Sequence, residues 1–317
     1  MTDDTEAAQS AEDAFALLGN ETRMRILRVL GEADEPLAFS ELYDRLAVAD
    51  SGQFNYHLEQ LVGQFVRKGE DGYALSRAGR RIVEAVLAGT VTADPTVERS
   101  PVDANCAYCG APIEAAWAAG SVTLYCTECS GKYGEEHATD TWGAPAGEGY
   151  LGRYALPPAG VLGRTPTEML RAAWTWGNLE IMALSSGLCP RCSASVEQSL
   201  RVCPDHDASG GRCSTCHNRD AVSVSFECTN CIFESGGAAA VALVAQTDLL
   251  DLITDHGLNP VDPERIHALD RVHNDYEERI VSTDPFEAEF TFSLAGDELV
   301  LRVDENLDVI DVTRSEA

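Results

Sequence analysis

Apolar residues recur at helical spacing from Ala11 to Ala88, and the pattern breaks where turn-forming residues stand. Phe15, Leu17 and Leu18 form one apolar stripe, and Ile26, Leu27, Val29 and Leu30 form a second. Gly19-Asn20 separates them, so the spacing predicts a helix pair or one broken helix over Ala11 to Leu30. Asn20 or Thr22 is placed as a cap, with Arg23, Arg25 and Arg28 on the outer side. Ser40 is placed to cap a short helix, Glu41 to Ala47, that turns Leu42 and Leu46 inward. Asp50-Ser51-Gly52 then opens a helix over Gln53 to Val62 whose buried stripe is Phe54, Leu58 and Leu61. That stripe leaves Ser51, Gln53, Asn55, Tyr56 and Gln60 outward and His57 at the edge. Strand-like pieces at Phe65 to Lys68 and Tyr73 to Ser76 flank Gly69-Glu70-Asp71-Gly72, a hairpin signal. A last helix, Ala78 to Ala88, carries Ile82, Val83, Val86 and Leu87.

Beyond this segment the pattern is less regular. Val91 to Ala104, with Pro95 and Pro101, reads as a linker, and Thr139 to Arg164 as a Gly- and Pro-rich surface loop. Thr165-Pro166-Thr167-Glu168 combines a capping box with proline at the first helical position. The helix it opens runs through Leu170, Trp174, Leu179, Ile181 and Met182 to Gly187, with Trp174 and Trp176 as core residues. Further helices are predicted from Ala239 to Asp255 and from Asp262 to Ile280. Three strands follow, Phe286 to Leu294, Leu299 to Val303 and Val309 to Val312.

Charge changes the picture in two ways. The net charge of −29 over 317 residues is extreme, and lysine occurs only as Lys68 and Lys132. A hydrophobic content of 44% with clear periodicity argues against a disordered acidic chain. An acidic surface nearly free of lysine resembles cytosolic proteins of salt-accumulating halophilic archaea. The charge is also uneven: residues 11–90 carry nine Lys/Arg against thirteen Asp/Glu, and residues 91–317 fourteen against thirty-six. Arg67, Lys68, Arg77, Arg80 and Arg81 form the one local cationic patch, where a polyanion would approach. Met1 to Ala8 is acidic with no apolar signal-peptide stretch, and the longest apolar run, Ala238 to Ala245, is too short for a bilayer. A cytoplasmic protein is expected.

Eleven cysteines and one histidine fall into six pairs with two-residue gaps: Cys106/Cys109, Cys126/Cys129, Cys189/Cys192, Cys203/His206, Cys213/Cys216 and Cys228/Cys231. An odd number of thiols and a reducing compartment favour metal over disulfides. Tetrahedral zinc takes four sulfur or nitrogen ligands, so twelve ligands imply up to three closed, structural zinc sites. Cys106/Cys109 joins Cys126/Cys129 in a first ribbon. Sequential pairing of the other four knuckles, across the strand-like pieces Val196 to Val202 and Val222 to Phe226, gives two further ribbons. A cross-brace of Cys189/Cys192 with Cys213/Cys216 is the alternative.

Three helices, a hairpin and a closing helix make a winged helix-turn-helix over residues 11–90. Outward Gln, Asn and Tyr side chains suit base edges in the major groove, and hairpin cations suit phosphates. The candidate DNA contacts are Ser51, Gln53, Asn55, Tyr56, His57, Arg67, Lys68 and Arg77. His57 weighs more towards packing or hydrogen bonding than base reading. Leu17-Leu18-Gly19-Asn20-Glu21-Thr22-Arg23-Met24-Arg25-Ile26-Leu27 resembles the first-helix signature of ArsR-type regulators. Asn55-Tyr56-His57-Leu58-Glu59-Gln60-Leu61 resembles their recognition helix, and Tyr73-Ala74-Leu75-Ser76-Arg77-Ala78-Gly79-Arg80 their wing exit. With its cysteine-rich C-terminal half the chain is similar to haloarchaeal regulators of this class. The resemblance implies a homodimer on a two-fold symmetric operator. Metal-sensing members carry cysteines on the helix before the recognition helix; Ser40 to Leu46 has none, so sensing there is not expected.

The expected fold is therefore multi-domain α+β: an N-terminal winged helix-turn-helix, zinc-ribbon knuckles and a small C-terminal α/β domain. Its divisions are a disordered tail (1–10), the DNA-binding domain (11–90), a linker (91–104), a zinc ribbon (105–138), a Gly/Pro-rich linker (139–164) and an α/β domain with two embedded knuckle sets (165–317). No phosphate loop, nucleophile–base pair or paired carboxylates stand at a recognisable spacing, so a non-enzyme is expected. The function expected is DNA-binding transcription regulation. Its rivals are a zinc- or redox-responsive switch and an adaptor that uses winged helix and ribbons to bind transcription machinery.

Overall fold

The computed structural model describes residues 10–93, 95–133, 148–262, 264 and 266–316. The expected tail (but for Ser10), the end of the first ribbon (134–138) and residues 139–147 of the Gly/Pro-rich linker lie outside them. Eight α-helices and thirteen strands in four antiparallel sheets make a mixed α+β structure among the described residues. The chain divides into two compact units, Met1–Ala93 and Asp94–Ala317.

The first unit follows the helical spacing closely. Helix α1 (Ala11–Leu18) stops at Gly19, and α2 (Glu21–Gly31) starts at Asn20, whose side chain accepts the Arg23 N–H at 3.1 Å. This is an N-cap, which relieves one of the amides left unpaired in a first helical turn. Helix α3 (Phe39–Leu46) begins one residue before the expected Ser40 cap, and its N-cap, Ala38, makes no side-chain bond. Packing sets this start instead: Phe39 inside the helix meets Phe54 at 5.1 Å between ring centroids. Asp50 caps α4 (Ser51–Leu61), accepting from Gly52 N and Gln53 N at 2.8 and 3.1 Å. The hairpin β1 (Val66–Gly69) and β2 (Gly72–Leu75) then leads to α5 (Arg77–Leu87). Gly72 has a φ of +127°, and a Cβ there would sit 2.4 Å from the Leu37 carbonyl oxygen. Glycine lets Tyr73 exchange two backbone bonds with Leu37 at that close approach. Ile26, Leu42, Phe54, Leu58 and Leu61 make the buried centre.

The second unit departs from the expected divisions. Its core runs without interruption from Val102 to Leu307, so the first ribbon is no separate domain. The expected linker 91–104 contains most of strand β3 (Val97–Asn105), which buries Val102 and Ala104. The expected loop 139–164 contains β6 (Tyr150–Ala155). Both are edge strands of one sheet with β4 (Pro112–Ala118) and β5 (Ser121–Cys126), in the order β3-β4-β5-β6. Proline and glycine blurred the pattern because edge strands tolerate them. Thr165 caps α6 (Pro166–Ser185) through the expected capping box. Trp174 is buried, and Trp176 stands 44% exposed, against the expectation that it joins the core.

A three-stranded sheet follows, β7 (Val196–Val202), β8 (Val222–Cys228) and β9 (Glu234–Ala238). The single helix expected over 239–255 is a 3₁₀ segment, Ala239–Leu243, and then α7 (Thr247–Asp255). The next helix, α8 (Ile266–Asn274), ends early, and the residues expected to finish it form β10 (Glu277–Thr283). Strands β11 (Phe286–Leu294), β12 (Asp297–Val303) and β13 (Val309–Ser315) complete a meander in the order β10-β11-β12-β13. All named strand pairs are antiparallel, so the C-terminal part is α+β rather than the expected α/β.

Candidate metal centres and the exposed face of helix α4

The twelve knuckle residues gather into three clusters, and in each the ligand atoms all lie within 4.8 Å of one another. Cys106, Cys109, Cys126 and Cys129 form the first, as expected. The other two overturn both expected pairings: Cys189, Cys192, Cys228 and Cys231 form one cluster, and Cys203, His206, Cys213 and Cys216 the other. The pairing is nested. Strands β7 and β8 run antiparallel, from Val196↔Cys228 to Val202↔Val222. The knuckle before β7 therefore meets the knuckle after β8, and the two inner knuckles meet at the tip. Gaps of ten and eleven residues fit a self-contained ribbon, but they equally fit a strand between two sites.

The geometry suits a tetrahedral ion. Four sulfurs each about 2.3 Å from a central ion stand about 3.8 Å apart. The sulfur pairs Cys106–Cys129, Cys109–Cys126, Cys189–Cys231 and Cys192–Cys228 are 3.7, 3.4, 3.7 and 3.5 Å apart. Three knuckles repeat one turn, in which the residue after the second cysteine donates to the first cysteine's carbonyl at 2.9 Å. Those residues, Gly110, Ser193 and His217, have φ of 75°, 62° and 59°. Knuckle amides also point at sulfur, as from Cys129 N to Cys126 Sγ (3.2 Å) and Cys231 N to Cys228 Sγ (3.3 Å). Such donors favour thiolate: the Cys216 and Asp207 amides hold the Cys213 thiol down at about 6, and those of Asn230 and Cys231 hold Cys228 at about 6.

His206 is oriented as a ligand. Its Nε2 lies 2.8 Å from the Arg219 carbonyl oxygen, which only accepts, so Nε2 carries the proton. Nδ1 then presents its lone pair 3.4 Å from Cys216 Sγ, inside the cluster. A histidine fixed through its far nitrogen by a carbonyl is the usual outer-shell arrangement of a metal-bound imidazole.

Two of these sites belong to an internal repeat. Ser121-Val122-Thr123-Leu124-Tyr125-Cys126-Thr127-Glu128-Cys129 matches Ser223-Val224-Ser225-Phe226-Glu227-Cys228-Thr229-Asn230-Cys231 at both cysteines and the threonine between them. Cys106 to Glu114 matches Cys189 to Glu197 at both cysteines, at Ala111 with Ala194 and at the final glutamate. The structures follow. Ile113 pairs with Cys126 and Val196 with Cys228; a third strand then pairs Ser121 with Ala155 and Ser223 with Ala238. Thr127 bonds the Pro112 carbonyl through amide and hydroxyl, and Thr229 bonds Ser195 likewise. The first copy turns tightly at Ala119-Gly120, and the second inserts the third cluster at that place.

Of the candidate DNA contacts, Ser51, Gln53, Asn55 and Tyr56 share the exposed side of α4, with Tyr56 59% exposed. His57 is the exception: it is 9% exposed and lies with Phe54, Leu58 and Leu61 on the buried side. A residue three positions after Phe54 falls on its face of a helix, so the core claims it. Arg67 and Arg77 are exposed on β1 and at the start of α5. Lys68 is engaged, 3.6 Å from Glu59 on α4 and 5.2 Å from the centre of the Tyr73 ring.

Lys132, to which no local pattern gives a role, is 1% exposed. Its Nζ donates to Asn274 Oδ1 at 2.9 Å and lies 3.4 Å from Asp220 Oδ2, between the Tyr133 and Tyr276 rings. Burial opposes its charge, but Asp220 outweighs burial and holds it protonated. Burial raises nearby Asp270 to about 6 and Glu278 to about 7, and lowers His273 to about 4. The signal was present: one of only two lysines stands where every cation nearby in sequence is arginine.

Fold and clusters together define a two-unit α+β protein with three sets of side chains that could each hold a metal ion. The chain belongs to the family described as domain of unknown function DUF7351, which residues 103–309 match. Residues 11–86 match a second, described as domain of unknown function DUF7347. No curated protein and no solved structure matches the chain. Among the described residues, no helix is long and apolar enough to cross a membrane.

Proposed function

We propose that the chain is a DNA-binding transcription regulator: its first unit is a winged helix-turn-helix, and its second unit is shaped by three structural zinc ions. The carrying observation is the exposed face of α4. Asp50 fixes the start of that helix, its buried stripe fixes its rotation, and Gln53, Asn55 and Tyr56 face solvent beside the Arg67-bearing hairpin. Amide side chains held this way can make paired hydrogen bonds to base edges, worth about 1–3 kcal/mol of discrimination each. A second copy of the chain supplies the other half-site on a symmetric operator. His57 supports the helix from within rather than reading a base.

Zinc is the ion favoured by closed tetrahedral S₄ and S₃N sets. Bound there, it cross-links the knuckles and holds the thiolates away from other chemistry. The protein's own part is to aim sulfur, amide and imidazole at the centre of each cluster.

In molar salt, phosphate contacts lose most of their contribution, because log K falls by about 0.9 per contact for each log unit of salt. Base contacts then carry binding. The test is a genome-wide binding map in native salt, followed by affinities of Gln53→Ala, Asn55→Ala and Arg67→Ala for the recovered site and for random DNA. Discrete palindromic sites, with both amide variants losing tenfold or more in specificity, are expected. Arg67→Ala should weaken both DNAs alike. Occupancy of promoters at large, without a shared sequence, favours the adaptor reading instead.

A further inference from the structure

A cleft of about 650 Å³ opens in the second unit between β5–β6, α6 and the sheet β7-β8-β9. That volume lies in the range of small-molecule sites, roughly 300–1,000 Å³. One wall is polar, with Ser199 and Ser225 hydroxyls 2.9 Å apart across β7 and β8 and Arg201 beside them. The Arg201 side chain makes no hydrogen bond or ion pair among the described residues. The other wall is apolar, formed by Ile181, Leu184, Phe233 and Val241. Arg153 and Arg191 also line the cleft, and the Glu180 carboxylate there is engaged by Arg191. Three arginines against Glu180 and Glu234 leave the lining a small positive excess, in a segment where Asp and Glu outnumber Lys and Arg by thirty-six to fourteen.

The floor reaches the Lys132 group. Asn274, which accepts from Lys132, and Tyr154 line both the cleft and an inner cavity of about 40 Å³, room for one to three waters. Around that floor, Tyr108 Oη, Tyr276 Oη, His273 Nε2 and Asn218 Oδ1 are buried without a hydrogen-bond partner, while Asp220 Oδ2 is held by the Lys132 ion pair. Buried polar atoms are nearly always satisfied, so these four mark a polar floor to which water or a polar guest can bond. Only Arg23, His57, Gln64 and Trp174 carry such atoms elsewhere on the described chain or beside this group.

We propose that this cleft binds a small organic anion, its carboxylate or phosphate against Arg201 and the serine hydroxyls and its apolar body against the α6 wall. Bidentate contact from a guanidinium suits either anion and persists in salt better than long-range attraction does. Arg191, inside the Cys189/Cys192 knuckle, and Phe233, two residues past Cys231, stack at 5.3 Å at the cleft's edge, so the guest would touch the second cluster's loops. The inference stands whether or not the first unit binds DNA.

The test uses the full metal-loaded chain in 2 M KCl and saturation-transfer NMR with four probes sharing one ring: phenyl phosphate, benzoate, benzamide and benzamidine. Transfer to both anions is expected, at least threefold above benzamide, with none to benzamidine. Arg201→Glu and the cleft-filling Ser225→Phe should each reduce anion transfer at least tenfold, while Arg279→Glu on β10 leaves it unchanged. Near-UV circular dichroism and metal content check that each variant is folded, and Arg201→Gln replaces Arg201→Glu if it is not. No transfer to either anion, equal transfer to the cation, or anion transfer that survives loss of Arg201 overturns the proposal.

Discussion

Residues 10–93 close around one apolar core that contains no cysteine, and His57 is their only buried polar side chain among those described. Residues 95–316 instead spread over three small sheets, with three ligand clusters and Thr123, Lys132, Asn178 and Asn218 buried as well. The difference lies in what local pattern can supply. Amphipathic helices bury a continuous stripe against each other. Sheets of three or four short strands bury little for each strand and keep two edges, so metal cross-links at the clusters would take over part of the work.

Metal removal should separate the two units most sharply. Structural zinc contributes about 10–16 kcal/mol per site in small domains. Chelation under reducing conditions should release three ions and expose the amides of β4, β5, β7 and β8 to hydrogen exchange, while α2 and α4 stay protected. Retained protection in the second unit after all metal is gone would show that its core suffices alone.

Salt comes next. The Debye length grows from about 3 Å at 1 M to about 10 Å at 0.1 M, so acidic self-repulsion rises on dilution. The unit with thirty-six acidic residues in 91–317 should lose more stability between 2 M and 50 mM KCl than the unit with thirteen in 11–90. Separate melting transitions measured at both salts check this, and equal losses contradict it.

A core truncation sharpens the comparison from the other side. Leu58 is fully buried, and Leu58→Ala should cost the first unit about 2–5 kcal/mol. The second unit's transition should not move. A matching shift in both would mean that the units melt as one.

The smallest effect is a pH slope confined to the second unit. Glu278 has its pKa raised to about 7 by burial, from an ordinary value near 4.5. The folded form then holds a proton that the unfolded form has released, so this group's contribution is complete below about pH 4.5 and fades as pH rises through 7. The slope is at most about 1.4 kcal/mol per pH unit. Glu278→Gln should flatten it, as read by thermal unfolding at intervals from pH 5 to 8.

Much of the first unit was legible because its signals are local. Asn20 and Asp50 cap helices beside them in sequence, Phe54, Leu58 and Leu61 need only one helical repeat to define a face, and Ser76, read as a strand end, proves to be a cap. Ala38 is the exception, since Phe39 joins α3 through contact with a helix farther along. In the second unit β3 and β6 were missed because Pro101 and Gly152 interrupt the alternation, and β10 because its residues continue a helical spacing. The internal repeat was visible in the letters of Ser121–Cys129 and Ser223–Cys231 all along. Together with the match of Cys106–Glu114 to Cys189–Glu197, it pairs Cys189/Cys192 with Cys228/Cys231 from residue order alone.

The residue order alone carried the inventory: twelve candidate ligands in six knuckles, the helices of the first unit, and a net charge of −29. These follow from residue type and spacing over a few positions. Which knuckles share a cluster, and what surrounds Lys132, came only from the folded arrangement. Strand pairing chooses among knuckles of identical spacing. Lys132 and Asn274 meet across 142 residues, a separation over which no local pattern acts.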